Sequence, residues 1–318
     1  MLDLSNLKGI FAAVPIACTP DGQFIEADYR ADIAKVCRSG VHGIYTTGTT
    51  GEWYAMDDDE FRWMAEAFLA ETGRFETLTQ IGCGGLCTEA TIRRVRIAVG
   101  GNRRPDGLQI LLPPWQRLTD DEVVEYFEAV ADAADGVPLI HYNTMRSKRF
   151  LTRKEYERIL KTVPTLIGSK FISSDIDQIV ALVRAGLPMN HFIGHESSLV
   201  QLTMWGGQGL YSELALCWPG ACMRLFELCR QGRWDQALEL QEKFIAFGTE
   251  GQGPLRGRGY TDAAWDKGKA EAAGFLRCKR FIRPPHRCMA PEDVEHLRAI
   301  GRKYFSDWLA ESPDGTKA

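Results

Sequence analysis

The chain has 318 residues, of which 45% are hydrophobic and 25% charged, a composition that lets a protein bury a sizeable core without disulfides or metal ions. A formal net charge of −4 gives no basis for a nucleic acid or an anionic membrane as partner. There is no stretch of about 20 apolar residues, and Met1–Ser5 lacks the basic and apolar regions of a signal peptide. We therefore expect a cytoplasmic protein, in which the basic run Arg93–Arg96 forms the solvated face of a helix.

Eight short β-rich segments alternate with longer amphipathic segments, which is typical of repeated βα units around a parallel sheet. Strict alternation over eight units favours a closed α/β barrel, the TIM or (β/α)8 barrel, over a doubly wound sheet. The predicted strands are Phe11–Cys18, Gly43–Thr47, Thr77–Gly82, Gly107–Leu112, Pro138–Asn143, Leu166–Phe171, His191–His195 and Gly209–Leu214.

Two of the helical segments begin at recognisable capping residues. Asp57 precedes an acidic turn and an apolar-periodic run, and Thr119 stands three residues before Glu122, which is the spacing of a capping box. We interpret these residues as helix starts and not as functional sites.

The chain beyond the eighth strand has the pattern of several further helices. We assign residues 1–217 to the barrel and residues 218–318 to a C-terminal helical extension that completes it. Within the extension, Gly248–Tyr260 is rich in glycine and arginine and is predicted to be a loop, and a last helix is expected near Glu292–Tyr304. The polar tail Ser312–Ala318 is expected to be disordered.

The chain contains nine cysteines and six histidines. The cysteines form no Cys-x-x-Cys pair, and the histidines form neither His-Glu-x-x-His nor His-x-His. We therefore expect reduced cysteines that fill the core, and no structural metal site.

Lys170 stands inside the predicted sixth strand, where a parallel strand is normally a continuous apolar run. Burying an unpaired ammonium costs on the order of several kcal/mol. A buried lysine therefore usually has a lowered pKa, which leaves part of the population as the neutral amine. The neutral amine that results is the nucleophile needed to attack a ketone and form an iminium. The alternative is a lysine at the strand's end whose ammonium group reaches solvent.

Tyr142 lies in the predicted fifth strand, next to the strand that carries Lys170. Because reactive side chains of a barrel gather at the carboxyl ends of the strands, both can project into one site if their registers match. A phenol there could move the protons that carbinolamine formation and dehydration require. The alternative is a core aromatic whose hydroxyl only finds a carbonyl.

The segment Thr46–Glu52 follows the second strand and combines glycines with hydroxyls. Free backbone N–H groups, together with the hydroxyls of Thr49 and Thr50, could hold a carboxylate without an arginine. The segment lacks the Gly-Lys-Ser/Thr end of a P-loop, and Gly/Thr clusters also make ordinary turns.

Three motifs taken together, Gly48–Glu52, Tyr142-Asn143 and Gly168–Lys170, resemble in order and spacing the dihydrodipicolinate synthase / N-acetylneuraminate lyase family. The resemblance extends from Gly9–Thr19 to Arg283–Pro285, so it covers nearly the whole chain.

The resemblance implies a TIM barrel with C-terminal helices, homotetramers, a chemistry without metal or organic cofactor, and pyruvate or a longer 2-oxo acid as substrate. It implies that Lys170 is the Schiff-base lysine and Tyr142 the acid/base phenol. The remaining implied site residues are Thr49 and Thr50 for the carboxylate and the proton relay, Gly48 for substrate binding and Gly194 for the pocket wall.

The chain departs from dihydrodipicolinate synthases at two places. Those enzymes usually carry a Pro-Tyr-Tyr segment after the fourth strand, whereas this chain has Pro113-Pro-Trp115, and a tryptophan cannot relay a proton. Where they place an arginine five residues after the tyrosine, this chain has Ser147, flanked by Arg146 and Lys148. Both departures disfavour the lysine-biosynthesis reaction.

Trp115 offers a flat wall for an aromatic or extended substrate, which is similar to hydratase-aldolases that cleave aryl-pyruvate conjugates. It could equally pack in a subunit contact. His195 and Glu196, just past the seventh strand, could bind substrate hydroxyls, and His195 could equally be a surface histidine.

The sequence therefore predicts a Schiff-base-forming aldolase or dehydratase that acts on a 2-oxo acid. The alternatives are a true dihydrodipicolinate synthase, a hydratase-aldolase on aryl-pyruvate conjugates, and a non-catalytic 2-oxo-acid binding protein.

Overall fold

The computed structural model of the chain describes residues 1–173 and 175–308. The tail that was predicted to be disordered, Ser312–Ala318, lies outside the described residues.

Eight parallel strands close into a barrel in chain order, with the eighth strand paired to the first. This confirms the predicted (β/α)8 architecture. The strands are β1 (Gly9–Ala13), β2 (Gly43–Thr46), β3 (Leu78–Gly82), β4 (Gly107–Ile110), β5 (Leu139–Asn143), β6 (Leu166–Phe171), β7 (Asn190–Ile193) and β8 (Gly209–Ser212).

The first strand ends earlier than the predicted Phe11–Cys18. Its ladder with β2 runs from Phe11 to Ala13, and the last barrel bond on this side is from Val14 N–H to the Tyr45 carbonyl, at 2.8 Å. Pro15 follows and has no N–H, so it cannot donate to the ladder.

Eight helices follow the eight strands, and three more lie beyond them in the described part of the chain, as the predicted C-terminal extension requires. They are α1 (Glu26–Arg38), α2 (Asp58–Thr72), α3 (Thr88–Val99), α4 (Asp120–Ala133), α5 (Arg153–Ile159), α6 (Ile176–Val183), α7 (Leu199–Trp205), α8 (Pro219–Arg230), α9 (Trp234–Ala246), α10 (Asp262–Ala273) and α11 (Pro291–Phe305).

The predicted capping residues begin their helices. The side chain of Asp57 accepts a hydrogen bond from the N–H of Glu60 at 2.8 Å, and the Glu60 carboxylate accepts one from the N–H of Asp57 at 3.3 Å. Thr119 and Glu122 form the same reciprocal pair at the start of α4. Each box satisfies N–H groups that lack a partner within the helix.

The predicted loop at Gly248–Tyr260 is wrong for most of its length. The chain continues from α9 as a π-helical stretch, Phe247–Gln252, and then as a 3₁₀ stretch, Gly253–Arg258. Phe247 packs its ring 4.9 Å from that of Trp218. Packing of this kind overrides the low helix propensity of the glycines.

The interpretation of Arg93–Arg96 as a solvated helix face is wrong at Arg94. This side chain is buried, and its guanidinium donates to the carbonyls of Trp53, Gly84 and Met56, each at 2.8 Å. Arg94 therefore ties α3 to the loops that follow β2 and β3.

All nine cysteines are free, and seven of them are buried, whereas Cys87 is exposed and Cys288 half-buried. No helix in the described ranges is both long enough and apolar enough to cross a membrane.

Aromatic rings fill the barrel interior beneath the carboxyl ends of the strands. The rings of Phe11, Phe192 and Tyr211 lie in mutual contact, with centroids 5.1 to 5.7 Å apart. The barrel is thus a packed core closed below its carboxyl-end mouth.

Candidate active site

A cavity of about 330 Å³ lies at the carboxyl ends of the strands. Its walls come from strands β2, β5, β6 and β8, from the segments that follow β2 and β5 to β8, from the helical stretches after α9, and from α10. The lining residues are Tyr45, Thr49, Thr50, Tyr142, Arg146, Lys170, Ile172, Gly194, His195, Tyr211, Glu213, Gln252, Arg256, Asp262, Trp265, Asp266 and Lys269.

Lys170 and Tyr142 occupy paired positions of β6 and β5, so their side chains point to the same side of the sheet. Lys170 is only 8% exposed, and its Nζ donates to the hydroxyl of Tyr45 at 3.0 Å. The same Nζ lies 4.7, 5.2 and 5.6 Å from the ring centroids of Tyr142, Tyr45 and Tyr211. The amine is therefore held in an aromatic cage that opens to the cavity.

Burial lowers the pKa of Lys170 to about 8, against the opposing effect of the nearby Asp266, Glu213 and Asp262 carboxylates. At neutral pH roughly a tenth of such an amine is neutral, far more than for an exposed lysine. The alternative interpretation, a lysine at the strand's end whose ammonium group reaches solvent, does not agree with this burial.

Gly194, at the end of β7, leaves room for the lysine. A Cβ at this position would lie 2.7 Å from Cγ1 of Ile172 and 3.4 Å from Cε of Lys170. A side chain at this position would therefore displace Ile172 and lie in contact with Lys170, which favours glycine here.

The Tyr142 hydroxyl accepts a hydrogen bond from Nη1 of Arg146 at 3.1 Å. Burial raises the pKa of Tyr142, whereas the guanidinium of Arg146 opposes this rise. Arg146 itself pairs with Asp262, at the start of α10. The neighbouring Ser147 is buried and donates to the carbonyl of Leu112 at 2.9 Å, so it does not face the cavity.

Thr49 and Thr50 line the cavity from the loop after β2. The hydroxyl of Thr50 bonds the Oδ2 atom of Asp266 at 2.5 Å, which links this loop to α10. Gly48 is buried beneath the loop, where a Cβ would lie 3.0 Å from the ring of Tyr45, and it is not part of the cavity wall as described.

The end of the same loop is fixed by a buried ion pair. Glu52 has a φ of 52° and accepts a hydrogen bond from the N–H of Arg283 at 2.9 Å. Its other carboxylate oxygen pairs with Lys267 of α10, and both side chains are almost completely buried. This pair holds the threonine loop against the C-terminal helices.

Three other predicted site residues have different positions. His195 lines the cavity, whereas Glu196 is buried beside it, bonded to the hydroxyl of Ser212 and the N–H of Leu214, and faces an adjacent cavity. Trp115 is 78% exposed and does not line the cavity that contains Lys170, so it forms no wall of that cavity within one chain.

Sequence reasoning missed a charged group on α10, next to the threonine loop. Lys269 of α10 lies 2.5 Å from Glu213, which follows β8, and 3.2 Å from Asp266 of its own helix. Burial and the neighbouring Glu213 raise the pKa of Asp266. The available signal was the group Asp266, Lys267 and Lys269, three charged residues within four positions of an alanine-rich helix.

A second hollow of about 290 Å³ adjoins the cavity and shares Thr49, Tyr142, Arg146 and Asp262 with it. Its other lining residues are mostly aromatic or apolar, namely Trp53, Tyr54, Leu111, Pro114, Thr261 and His286.

The closed (β/α)8 barrel has its cavity at the carboxyl ends of its strands. Enzymes with this fold have their active sites at the same end of the barrel. Residues 6–249 match the model of the Dihydrodipicolinate synthetase family, and the chain belongs to that family. It is therefore an enzyme, a lyase of the class that works through a Schiff base.

Two curated relatives illustrate the likeness in sequence. The chain is 29% identical over 252 residues to a 4-hydroxy-tetrahydrodipicolinate synthase of Xanthomonas campestris pv. campestris, an alignment that covers 76% of this chain and 81% of the relative. It is 27% identical over 247 residues to the enzyme of the same name from Anaplasma marginale, with 76% and 79% covered.

Solved structures show the same fold at lower identity. YagE of E. coli K12, a prophage protein of the dihydrodipicolinic acid synthase family, superposes with a TM-score of 0.84 at 20% identity, covering 94% of this chain and 98% of YagE. The sialic acid aldolase of Ruminococcus gnavus gives a TM-score of 0.84 at 18% identity, with 96% and 100% covered.

Proposed function

We propose that the protein is a Schiff-base-forming aldolase or dehydratase in which Lys170 condenses with pyruvate or a longer 2-oxo acid. The observation that carries the proposal is the Lys170 amine, which is buried, lowered in pKa and surrounded by three tyrosine rings at the head of the cavity. Among the described residues no carboxylate forms an ion pair with this amine, so no salt bridge offsets its burial.

The groups around the amine fit the steps of imine formation. The Lys170 nitrogen attacks the ketone carbon, and the ketone oxygen must gain two protons before it leaves as water. Tyr142, whose side chain lines the same cavity as the amine, would move a proton onto this oxygen. The loop bearing Thr49 and Thr50 would hold the 2-oxo acid's carboxylate.

The rate at which the protein forms an adduct with pyruvate should rise as the pH is raised toward about 8. Only the neutral amine of Lys170 attacks, and because its pKa is lowered to about 8, its neutral fraction increases with pH below that value. The gain is about tenfold per pH unit well below the pKa. Initial rates of borohydride-trapped adduct across this range measure it, and a flat profile would contradict the role of the amine.

The substrate class is tested by a panel of aldol substrates that yield pyruvate, including sugar acids and aryl conjugates. Pyruvate release reports cleavage, a parallel assay reports dehydration, and the reverse incubation of pyruvate with aldehydes reports condensation. The member with the highest kcat/KM identifies the substrate class. Binding of 2-oxo acids with no turnover across the panel would contradict the proposed substrates.

The aromatic hollow beside the cavity favours a second candidate, a hydratase-aldolase that acts on aryl-pyruvate conjugates. A ring attached to the carbon chain of a Lys170 adduct could enter the hollow between Trp53 and Leu111. Faster cleavage of aryl conjugates than of sugar acids in the panel would support this candidate, and the reverse order would count against it.

Assembly into a homotetramer is also proposed, as the family implies. Large apolar side chains are exposed after three consecutive strands: Leu86 after β3 (67%), Trp115 after β4 (78%) and Met145 after β5 (62%). Exposed apolar residues grouped at one rim are typical of a surface that another chain covers. Trp115 would then lie in a contact between subunits, which is the alternative to its forming a wall of the substrate site.

Replacing Trp115 with arginine should shift the protein toward smaller species in sedimentation velocity. A charge in the middle of a covered apolar surface is costly to desolvate, whereas a charge on a free surface is not. The matched control is Leu238→Arg, which places the same charge at a 39% exposed apolar position on α9. Equal sedimentation of both variants and the parent protein would contradict this interface.

A further inference from the structure

The amine of Lys170 has one hydrogen-bond partner among the described residues, and the reaction as proposed above does not use it. The partner is the hydroxyl of Tyr45, which accepts a hydrogen bond from Nζ at 3.0 Å. Tyr45 also lines the same cavity as Lys170. Its side chain therefore contacts both the nitrogen that would attack the ketone and the space that the ketone would occupy. A hydroxyl in this position is suited to proton transfer.

The Tyr45 side chain is held in place by the barrel. Tyr45 lies in β2, between β1 and β3, and is almost completely buried. Its ring meets that of Tyr211 edge to face, with the centroids 5.3 Å apart, and packs against Gly48, where a Cβ would lie 3.0 Å from the Tyr45 ring. This packing keeps the hydroxyl beside Lys170.

The other two tyrosines around the amine have different hydrogen-bond partners. The Tyr211 hydroxyl donates to Oε1 of Gln80 at 2.8 Å, and the Tyr142 hydroxyl accepts from Nη1 of Arg146 at 3.1 Å. Tyr45 is thus the tyrosine that bonds the amine within the described part of the chain. Burial raises the pKa of Tyr45, so at neutral pH its hydroxyl keeps the proton that a transfer step would need.

We infer that Tyr45 is a further catalytic residue, whose hydroxyl carries a proton from the Lys170 nitrogen to the substrate's ketone oxygen during imine formation. The inference rests on the proposed Schiff-base function. Direct transfer between these two atoms would pass through a strained four-membered ring, because both are bonded to the same carbon. With the Tyr45 hydroxyl between them the ring has six members, and each proton moves along a hydrogen bond.

The protons and charges of the step balance. Attack of the neutral Lys170 amine on the ketone forms the C–N bond and leaves a negative charge on oxygen and a positive charge on nitrogen. The nitrogen gives a proton to the Tyr45 oxygen while Tyr45 gives its own proton to the substrate oxygen, so the carbinolamine becomes neutral and Tyr45 is unchanged. Tyr142 then supplies the second proton to this oxygen. The C–O bond breaks, water leaves, and the nitrogen lone pair forms the C=N bond of the cationic iminium.

The test is Tyr45→Phe, which keeps the ring beside the amine and removes only the hydroxyl. The rate at which pyruvate forms the borohydride-trapped adduct at Lys170 should fall about 10²-fold, the usual contribution of a positioned proton-transfer group. Exchange of bound pyruvate should slow by the same factor, because hydrolysis of the imine returns the proton by the same route. A chase of carbon-13-labelled adduct with unlabelled pyruvate measures this exchange, and the fraction of protein modified at equilibrium should stay the same.

A Tyr45 hydroxyl that only accepted a hydrogen bond would give a different result. An acceptor at Nζ favours the charged ammonium, so its loss would increase the neutral fraction of Lys170 below about pH 8. Adduct formation would then be as fast as in the parent protein, or faster. That outcome in Tyr45→Phe would overturn the inference, and so would slower formation with an unchanged rate of exchange.

The matched control is Tyr211→Phe, which removes a hydroxyl that bonds Gln80 and not the amine. It should slow adduct formation much less than Tyr45→Phe does, and an equal loss of rate in both variants would count against a specific role of Tyr45.

A second measurement needs no variant and decides the question if Tyr45→Phe does not fold. In the proposed step two protons move together, so the rate of adduct formation by the parent protein in mixtures of H₂O and D₂O should depend quadratically on the deuterium fraction. A linear dependence, or none, would contradict the transfer through Tyr45. Absence of any adduct in the parent protein would instead overturn the proposed function itself.

Discussion

Lys170→Ala should abolish turnover of any substrate that the parent protein accepts, with a loss of kcat of about 10³-fold or more, as is found when the nucleophile of a covalent mechanism is removed. Alanine offers no amine for the ketone, and the Tyr45, Tyr142 and Tyr211 rings that surround Lys170 cannot replace it. The measurement is kcat on the first active member of the substrate panel, together with circular dichroism to show that the variant is folded.

The control for this prediction is Lys161→Ala, which removes an exposed lysine outside the cavity and should leave kcat unchanged. Lys170→Arg is informative as well, because it keeps a positive charge but supplies no amine that loses its proton near neutral pH. Substantial turnover by Lys170→Arg would mean that the charge and not the nucleophile matters.

Lys267→Met should lower the free energy of unfolding by about 3–5 kcal/mol, the usual cost of leaving one partner of a buried ion pair alone. Lys267 is completely buried and donates to the carbonyl of Phe281 at 2.8 Å in addition to its pair with Glu52. Without it the Glu52 carboxylate keeps only its bond from the Arg283 N–H in the described structure. Urea titration of both proteins gives the difference.

The control is Arg153→Ala, which breaks an exposed pair with Glu157 on α5. Surface pairs of this kind contribute about 0.3–0.5 kcal/mol. If Lys267→Met cost no more than Arg153→Ala, the Glu52–Lys267 pair would not be what fixes the threonine loop. Because that loop carries Thr49 and Thr50, we also expect Lys267→Met to raise the KM for the 2-oxo acid.

The sequence predicted the barrel and the two central residues of the candidate site because both depend on short-range patterns. Alternating β-rich and amphipathic segments identify βα units one at a time, and a closed parallel barrel then places every strand's carboxyl end at one mouth. Lys170 and Tyr142 were noticed because a parallel strand is buried on both faces and is normally a continuous apolar run. The register between β5 and β6 could not be read from the sequence, and in the structure Tyr142 and Lys170 are direct partners across these two strands.

The charged wall could not be predicted because its parts are far apart in the chain. Thr50 and Asp266 are separated by 216 residues, and no local pattern shows that α10 turns toward the barrel mouth. The acidic residues after β7 and β8 illustrate the same limit. Glu196 and Glu213 both follow strands, but one bonds Ser212 in the core while the other faces Lys269 in the cavity.

Two further expectations depended on tertiary packing. The glycine-rich stretch after α9 stays helical because Phe247 is held in the core, which a composition argument cannot anticipate. Trp115 was weighed as a flat substrate wall and equally as a subunit contact, and in one chain its side chain is exposed. Position after a strand brings a residue to the rim and does not decide which way the side chain points.

The measurement that tests the account most directly is peptide mass analysis after incubation of the protein with pyruvate and borohydride. The account predicts that the mass of reduced pyruvate appears on the peptide that contains Lys170, and that Lys170→Ala shows no such addition at any lysine. Retention of pyruvate with Lys170 unmodified, or an adduct on Lys269 or another lysine, would contradict it.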